Sequence, residues 1–459
     1  MHVSSEITAR GLIAALERIP GQTLFGQVTG VVGLLLEIAG LPDDVALGDV
    51  LWIAERSGAR RAAEVVGYRD QRVLAMPFGP TSGLARGARA EIGTPMDTIH
   101  PHPGWLGRVI DGFAQPLDAV GALPCGEQAY RVRGSVIPAH QRNRMGSKLD
   151  VGVRSLNAFL SCCRGQRLGI FAGSGVGKST LLSMMARNSD ADVNVIGLIG
   201  ERGREAREFI EDTLGEEGLR RSVVVVATSD QASLLRRRAA QVTLAVAEYF
   251  RDQGADVLLM LDSVTRFAMA EREIGLAVGE PPASKGYTPS VFAELPALLE
   301  RAGPGAAGQG SITGLFTVLV DGDDHSEPIA DAVRGILDGH IVLDRSIAER
   351  GRFPPVNVLK SVSRAMPGCN SARENAVVGR ARRLLAVYAE MADLIRLGAY
   401  RQGSDAEIDE AIRLQPQLEA FLAQGRTEPG TLDQVYAALA AIVGEPAAAK
   451  GITAPTVRR

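Results

Sequence analysis

The chain of 459 residues has little cysteine and few aromatic side chains: four cysteines, and 5% Phe, Trp and Tyr. Two of the cysteines are adjacent, and no spacing matches a metal site or a disulfide framework. This scarcity excludes a small protein that is held together by disulfides. We predict reduced thiols at all four positions, which are Cys125, Cys162, Cys163 and Cys369.

An excess of charge of one sign is also lacking. The formal net charge is −3, so the chain as a whole has no strong attraction to nucleic acid or to an anionic membrane. The aromatic residues of the N-terminal β-rich region are scattered and form no aromatic-plus-basic cluster on which single strands would stack. We therefore predict no direct nucleic-acid binding; the aromatic residues concerned are Phe25, Trp52, Tyr68 and Phe78.

Long hydrophobic runs are missing as well. No run approaches the roughly 18 apolar residues of a membrane span, and Glu37 interrupts the nearest candidate at residues 31–41. Charged residues, including Glu6 and Arg10, stand where a secretory signal needs an apolar core. The expectation is a cytoplasmic protein that reaches the inner face of the cytoplasmic membrane only through partners.

The hydrophobic share of 46% in a chain of this length is enough for two or three domains. Residues 1–20 have an amphipathic helical pattern that either packs on its own domain or docks on a partner. Residues 21–95 contain short β-rich pieces separated by turns, which predicts a small β-barrel. The pieces are at residues 25–29, 32–38, 50–54 and 72–76.

Strands and helices alternate over residues 96–370, a pattern typical of a mostly parallel sheet covered by helices. The predicted strands are residues 168–171, 193–199, 222–227, 256–261, 314–320 and 340–343. Residues 371–459 are helical, with helices predicted at 372–396, 405–422 and 432–442. The predicted fold class is α/β, with an N-terminal β-barrel and a C-terminal helical domain.

The most informative motif follows the first predicted core strand. Residues 171–180 fit a phosphate-binding P-loop, with Ala172 in the place of the opening glycine. Its glycines let backbone N–H groups approach phosphate oxygens, and the following helix N-terminus adds positive charge. The predicted nucleotide-binding residues are Gly173, Ser174, Gly175, Val176, Gly177, Lys178, Ser179 and Thr180.

Charged residues follow two of the other predicted strands. Residues 257–262 are apolar and end in Asp262, the pattern of a Walker B strand whose carboxylate helps to hold Mg²⁺ together with the Ser179 hydroxyl. Glu201 follows the strand at 193–199 and is either the carboxylate that polarises an attacking water or a surface charge at a strand end. The sequence thus predicts ATP and Mg²⁺ as ligands.

Four other features each have more than one interpretation from the residues alone. Arg364 is either a surface residue or an arginine that completes a neighbouring subunit's site, and Phe353 is either a core side chain or a stacking face for adenine. Tyr287 is a hinge, a stacking residue or a filler of the core. The run Arg236-Arg237-Arg238 is either a solvated helix face, which is typical of a charge run, or in a ring the lining of a pore or of a subunit interface.

Taken together, the motifs resemble the catalytic-type subunits of rotary ATPases, and above all the ATPases of type III protein export in the flagellum. This resemblance covers about residues 22–440. The residues that carry it are 106–112, 149–154, the P-loop stretch 163–179, Gly-Glu-Arg-Gly-Arg-Glu at 200–205, Leu-Asp-Ser-Val-Thr-Arg-Phe-Ala at 261–268 and Ser-Val-Ser-Arg at 361–364.

The resemblance implies a role for each candidate side chain in a P-loop (RecA-like) core. It implies that Glu201 is the catalytic carboxylate, that Arg202 supports the γ-phosphate and that Arg364 is the finger inserted from an adjacent subunit. It also implies that Phe353 stacks on adenine and that Tyr287 lies near the site. Because Lys178, Glu201, Asp262 and Arg364 occur in one chain, a homohexamer with six equivalent shared sites is expected.

The function that the resemblance implies is Mg²⁺-dependent ATP hydrolysis that energises flagellar protein export. The implied partners are a stator-like regulatory protein at residues 1–20, a central stalk protein, export substrates or their chaperones, and a membrane export gate. The alternatives are the ATPase of a virulence-type (injectisome) secretion system, a proton-coupled rotary ATPase subunit and an RNA-translocating hexamer. A nucleotide-binding scaffold without hydrolysis is disfavoured by the presence of Glu201.

Overall fold

The computed structural model describes residues 25–320 and 327–444, so the helix predicted for residues 1–20 lies outside the described residues. By its internal contacts the chain forms two compact units. One contains the N-terminal β-barrel, and the other contains the large sheet together with the C-terminal helices. The domain boundaries predicted from the sequence at residues 95 and 370 stay predictions.

The N-terminal unit is a closed barrel of six antiparallel strands in the order β1-β2-β5-β4-β3-β6. Alternate apolar side chains, such as Leu36, Ile38, Leu51 and Ile53, fill its interior. The strands are β1 (Phe25–Val32), β2 (Leu35–Ala39), β3 (Val50–Ala54), β4 (Arg60–Arg69), β5 (Arg72–Pro77) and β6 (Arg89–Ile92). The predicted barrel is confirmed.

Two details of the barrel differ from the sequence prediction. The strand predicted at residues 32–38 begins too early, because a turn with Gly33 at φ +58° follows the end of β1 and β2 begins only at Leu35. The strands β4 and β6 were not predicted. Both begin with arginine and contain further polar residues among their apolar ones, so neither strand has a continuous apolar run in the sequence.

Most of the remaining strands belong to a nine-stranded sheet with the order β19-β18-β12-β17-β15-β13-β14-β8, in which β16 pairs with β17. The strands after the barrel are β7 (Thr98–Ile99), β8 (Val109–Ile110), β9 (Tyr130–Arg131), β10 (Lys148–Leu149), β11 (Cys162–Cys163), β12 (Arg167–Ala172), β13 (Val193–Glu201), β14 (Ser222–Thr228), β15 (Asp256–Asp262), β16 (Gly303–Pro304), β17 (Ser311–Leu319), β18 (Gly339–Leu343) and β19 (Val362–Ser363). Outside the large sheet, β7 pairs with β9 and β10 pairs with β11. The pairs of the sheet centre are parallel. The six predicted core strands are confirmed, with bounds that differ by a few residues.

The helices follow the strands in alternation. They are α1 (Arg154–Phe159), α2 (Lys178–Asn188), α3 (Gly203–Glu208), α4 (Gly215–Arg220), α5 (Ser233–Asp252), α6 (Val264–Val278), α7 (Pro289–Leu299), α8 (Pro328–Ile336), α9 (Arg345–Glu349), α10 (Ala372–Arg396), α11 (Ala406–Leu422) and α12 (Leu432–Val443). A π-helical turn, Phe209–Leu214, joins α3 to α4. None of these helices has the length and apolar character that a membrane crossing requires.

Helices cover both faces of the sheet. This is visible in the packing, since successive residues of one strand belong to two different apolar clusters. Ile170 and Ile196 belong to one cluster, whereas their neighbours Phe171 and Val195 belong to the other. This is why the central strands are almost continuously apolar in sequence.

The three predicted C-terminal helices are confirmed as α10, α11 and α12. A capping box starts α10: the Ser371 hydroxyl accepts from the Glu374 amide, and the Glu374 carboxylate accepts from the Ser371 amide. The helices contribute Leu384, Leu414 and Leu439 to the same cluster as Ile170, so they share a hydrophobic core with the sheet.

The solvated face predicted for the run at residues 236–238 is wrong for two of its three arginines. Arg236 and Arg237 are 8% and 7% exposed. Arg237 lies 3.8 Å from the carboxylate of Glu271 on α6, so tertiary pairing compensates its burial. All four cysteines are free, as the spacing predicted.

A second buried ion pair holds α5 to the segment after α7. The Arg301 guanidinium donates to both carboxylate oxygens of Glu248 at 2.7 and 2.8 Å and to the carbonyl of Val132 at 2.8 Å. Both side chains are under one-tenth exposed. If one of the two side chains were removed, water could therefore not reach the remaining charge to take its place.

Arg301→Leu should lower the free energy of unfolding by about 3–5 kcal/mol, because it leaves the Glu248 carboxylate buried without a counter-charge. Arg207→Leu, which removes an exposed pair with Glu211, is the control and should cost less than about 1 kcal/mol. Urea denaturation of the three proteins measures the difference. Equal losses in both variants would contradict the structural role of the buried pair.

Candidate active site

The predicted P-loop lies where the motif places it, between the carboxyl end of β12 and the first residue of α2. Gly175 and Gly177 have φ values of +74° and +109°, in the left-handed region that favours glycine. Residues 173–175 and 177–180 line a cleft of about 510 Å³. Val176 is the exception: its side chain is buried in the hydrophobic core, so only its backbone can meet a ligand.

Lys178, at the start of α2, meets two carboxylates. Its ammonium lies 3.1 Å from Glu201 Oε1 and 2.5 Å from Asp262 Oδ1. The strand register explains the meeting, since β13 and β15 are parallel neighbours in which Leu198 pairs with Asp262. The two acidic residues therefore stand at the same edge of the sheet, where open α/β sheets bind ligands.

The electrostatics of this trio follow from burial and charge. Burial lowers the pKa of the Lys178 ammonium, but Asp262 and Glu201 outweigh it and hold the pKa above its ordinary value. Burial raises the pKa of the Glu201 carboxyl, and the attraction of Lys178 offsets this only in part because Asp262 adds repulsion. Lys178 therefore stays charged, and Glu201 is a stronger base than an exposed glutamate.

A threonine that the sequence analysis did not select orients Asp262. The Thr317 hydroxyl on β17 donates to Asp262 Oδ1 at 2.7 Å, and the threonine is fully buried. Leu261 pairs with Phe316 in the parallel ladder, so the next residue on each strand is brought side by side. The contact fixes one carboxylate oxygen, which the sequence could not indicate without the strand order.

Positive charge also reaches the cleft from two arginines. Arg202 lines it with a side chain that is 78% exposed and lies 3.7 Å from the Glu205 carboxylate. Arg266, in the first turn of α6, also lines the cleft, and its side chain packs against Gly200. Its Nε is buried without a hydrogen-bond partner. Sequence reasoning included Arg266 in a motif but assigned it no role.

Neither of the two aromatic candidates is among the residues that line the cleft, and they lie in different places. The Phe353 ring is half exposed and lies beside the P-loop, since a Cβ on Gly177 would stand 3.9 Å from it. Tyr287 is buried against Phe292 and the Arg272 guanidinium and is not among the residues that line the cleft. Its predicted contact with nucleotide stays a prediction.

Arg364 is exposed at the end of β19 and is likewise not part of the cleft of its own chain. Its guanidinium lies 3.4 Å from the carbonyl of Arg334. The structure therefore brings together Lys178, Glu201, Asp262 and Arg202 but leaves Arg364 apart from them.

The donor set suits a magnesium ion that arrives with phosphate ligands. Mg²⁺ prefers hard oxygens and is usually held by one or two carboxylates plus substrate phosphates. Ser179 and Asp262 supply such oxygens near the P-loop. Within the described ranges, no cluster of three or more His, Cys, Asp or Glu side chains could hold a metal without a substrate.

Three family profiles match the chain in succession. They are the beta-barrel domain of the ATP synthase alpha/beta family at residues 28–92, the nucleotide-binding domain of the same family at residues 152–363, and the type III secretion EscN ATPase C-terminal domain at residues 371–441. Each profile falls on the structural region that corresponds to it. Together they cover barrel, sheet and C-terminal helices.

Similar proteins of known name cover almost the whole chain. The flagellum-specific ATP synthase of Caulobacter vibrioides is 58% identical over 440 residues, which are 95% of this chain and 99% of the relative. The protein of the same name from Bacillus subtilis is 50% identical, again over 95% and 99%. A type 3 secretion system ATPase from Xanthomonas euvesicatoria is 50% identical over 87% of this chain and 90% of its own length.

Solved structures agree with these relatives. The assembled ATPase EscN of the enteropathogenic Escherichia coli type III secretion system superimposes with a TM-score of 0.84 at 39% identity, over 91% of this chain and 100% of that one. EscN in complex with its central stalk EscO gives a TM-score of 0.83. The chain belongs to the ATP synthase alpha/beta family, as an ATPase of the type III protein export branch that includes the flagellum-specific ATP synthases.

Proposed function

We propose that this chain hydrolyses ATP with Mg²⁺ to energise protein export by the flagellar type III apparatus, as one subunit of a homohexameric ring. The observation that supports the chemistry most directly is the contact of Lys178 with both Glu201 and Asp262 beside the P-loop. The flagellar assignment is supported by the relative of that name at 58% identity.

Each residue of the cleft has its own role in phosphoryl transfer. Backbone N–H groups of residues 173–179 and the Lys178 ammonium bind the phosphates. Glu201 orients the attacking water and accepts its proton, a role that its raised pKa favours. Arg202 neutralises charge that develops on the transferred phosphoryl group. Bound Mg²⁺, held by Ser179 and Asp262, would supply Lewis-acid polarisation of the phosphate oxygens.

The position of Arg364 supports the ring arrangement. Its side chain is exposed and is not among the residues that line its own chain's cleft, which agrees with our proposal that it completes the site of a neighbouring copy. An arginine finger of this kind increases the hydrolysis rate by about 10³–10⁵-fold. Because one chain carries both Glu201 and Arg364, identical subunits suffice for every site.

The other partners come from the family relationship. The relative EscN is described in complex with its central stalk, and we propose a corresponding stalk protein here. Leu394 and Leu397, both exposed at the end of α10, offer apolar side chains to such a partner. We also propose export substrates or chaperones, an export gate, and a stator-like regulator at residues 1–20. Through these partners the cytoplasmic ring would lie at the inner face of the membrane.

The ATPase of a virulence-type secretion system is the second candidate, since the EscN C-terminal profile and the Xanthomonas relative also match. Both candidates share the same chemistry. The genes adjacent to this one distinguish them: flagellar structural genes support the proposal, and needle-complex genes support the alternative.

Glu201→Ala and Arg364→Ala should each lower the ATPase rate at least about 10²-fold, because the general base and the finger both act on the transition state. In a mixture of the two variants, activity should partly return, since an intact Glu201 can then face an intact Arg364. Wild-type specific activity should rise with protein concentration. Full activity of Arg364→Ala alone, or no recovery in a mixture of two inactive variants, would contradict the shared site.

Thr317→Val should raise the Mg²⁺ concentration for half-maximal ATPase activity about tenfold, because Asp262 loses the hydroxyl that orients it. Thr317→Ser keeps the hydroxyl and is the matched control, with an expected Mg²⁺ dependence close to wild type. The measurement is a Mg²⁺ titration at fixed ATP, with melting temperatures to verify folding. An unchanged Mg²⁺ dependence in Thr317→Val would refute the orienting role.

A further inference from the structure

The segment that carries Phe353 is attached to the end of α11 at two points. The Arg352 guanidinium lies 2.9 Å from the Glu419 carboxylate on α11. The backbone amide of Gln424, two residues past α11, donates to the Phe353 carbonyl at 2.8 Å. The Phe353 ring is half exposed, so its position depends on the backbone hydrogen bonds of its segment, which include the one from Gln424 to Phe353 and the one from the Asp344 amide to the Pro355 carbonyl.

Gln424 is itself held by a full set of hydrogen bonds. Its Nε2 donates to the carbonyls of Gly152 and Glu428 at 2.8 and 2.6 Å, and its Oε1 accepts from the Arg154 amide at 2.7 Å. The residue is 7% exposed. A buried amide with both hydrogens and its oxygen in use holds its segment in one place, because water cannot replace the lost bonds at the same site.

A weaker contact also connects the start of α1 to the segment after α11. Arg154 lies 2.6 Å from the Glu428 carboxylate, but Glu428 is about half exposed. Exposed ion pairs contribute little to the free energy of a contact. The buried Gln424 side chain is therefore a stronger link between the start of α1 and the segment after α11 than this ion pair; further hydrogen bonds run from Arg154 to the Ala423 carbonyl and from Asn157 to the Gly430 carbonyl.

We propose that Gln424 is a positioning residue that sets the Phe353 ring against the nucleotide base and thereby links base binding to the C-terminal helices. This inference rests on the proposed stacking of Phe353 on ATP. The phosphates bind elsewhere, at the P-loop, whose residues have no hydrogen bond with Gln424 among the described contacts. Gln424 thus affects binding of the base and leaves binding of the phosphates unchanged.

Gln424→Ala should raise KM for ATP and Kd for ADP about tenfold while kcat stays within about twofold, because the loss falls on ground-state binding of the base. Pyrophosphate, which has no base, should bind with unchanged affinity. Gln424→Met keeps the side-chain length without its hydrogen bonds and should behave alike, with less risk of misfolding. Gln417→Ala, exposed on α11, is the control and should match wild type.

Steady-state kinetics and calorimetric titrations with ADP and pyrophosphate measure these effects, with melting temperatures for every variant. If Gln424 acts through Phe353, its effect on ADP binding should largely disappear in a Phe353→Ala background. Equal losses of ADP and pyrophosphate affinity, or additive effects of the two substitutions, would overturn the inference. Phe353→Ala with normal ADP affinity would refute the stacking role and this inference together. A loss in Phe353→Ala but none in the Gln424 variants would refute this inference alone.

Discussion

The contact of the Lys178 ammonium with Glu201 and Asp262 is the constraint on which the active site depends. The three charges come from the start of α2 and from the ends of β13 and β15, and all three are mostly buried. A buried charge without a partner costs several kcal/mol, so the two carboxylates require Lys178, and Lys178 requires them. They meet only when the consecutive sheet neighbours β12, β17, β15 and β13 pair in register. The chemistry of the cleft therefore requires the correct register of the sheet.

Local patterns predicted the parts of this site that local sequence determines. The P-loop, Asp262 and Glu201 each follow an apolar strand directly, so strand position and side-chain chemistry are read from the same few residues. The burial of Arg237 was not predicted, because it depends on Glu271 on another helix. The strand β4 was not predicted for the same reason. It starts with two arginines, and its apolar residues are buried only when the barrel closes around them.

The supporting residues could not be found from the sequence, because their partners are distant along the chain. Thr317 and Asp262 are 55 residues apart, and Gln424 and Gly152 are 272 apart. Threonine and glutamine are common polar residues with no motif of their own. What gives them a role is a hydrogen bond in a buried place, and burial is a property of the fold. Arg266 is intermediate, since its motif was visible but its direction into the cleft was not.

The two ends of the nucleotide site differ in how they are held, and this difference bears on how export is driven. The phosphate end is built between β12 and α2, with Val176 and the flanking strands inside the core. The base end is a half-exposed ring on a segment that is fastened to α11 and the residues after it on one side and, through Pro355 and Val356, to the end of β18 on the other. A displacement of the C-terminal helices would act on Phe353 through Arg352 and Gln424, whereas Lys178, Glu201 and Asp262 have no hydrogen bond with those helices among the described contacts. Force from a stalk or a substrate would then change the affinity for nucleotide more than the barrier to its hydrolysis, so the coupling would act on binding and release.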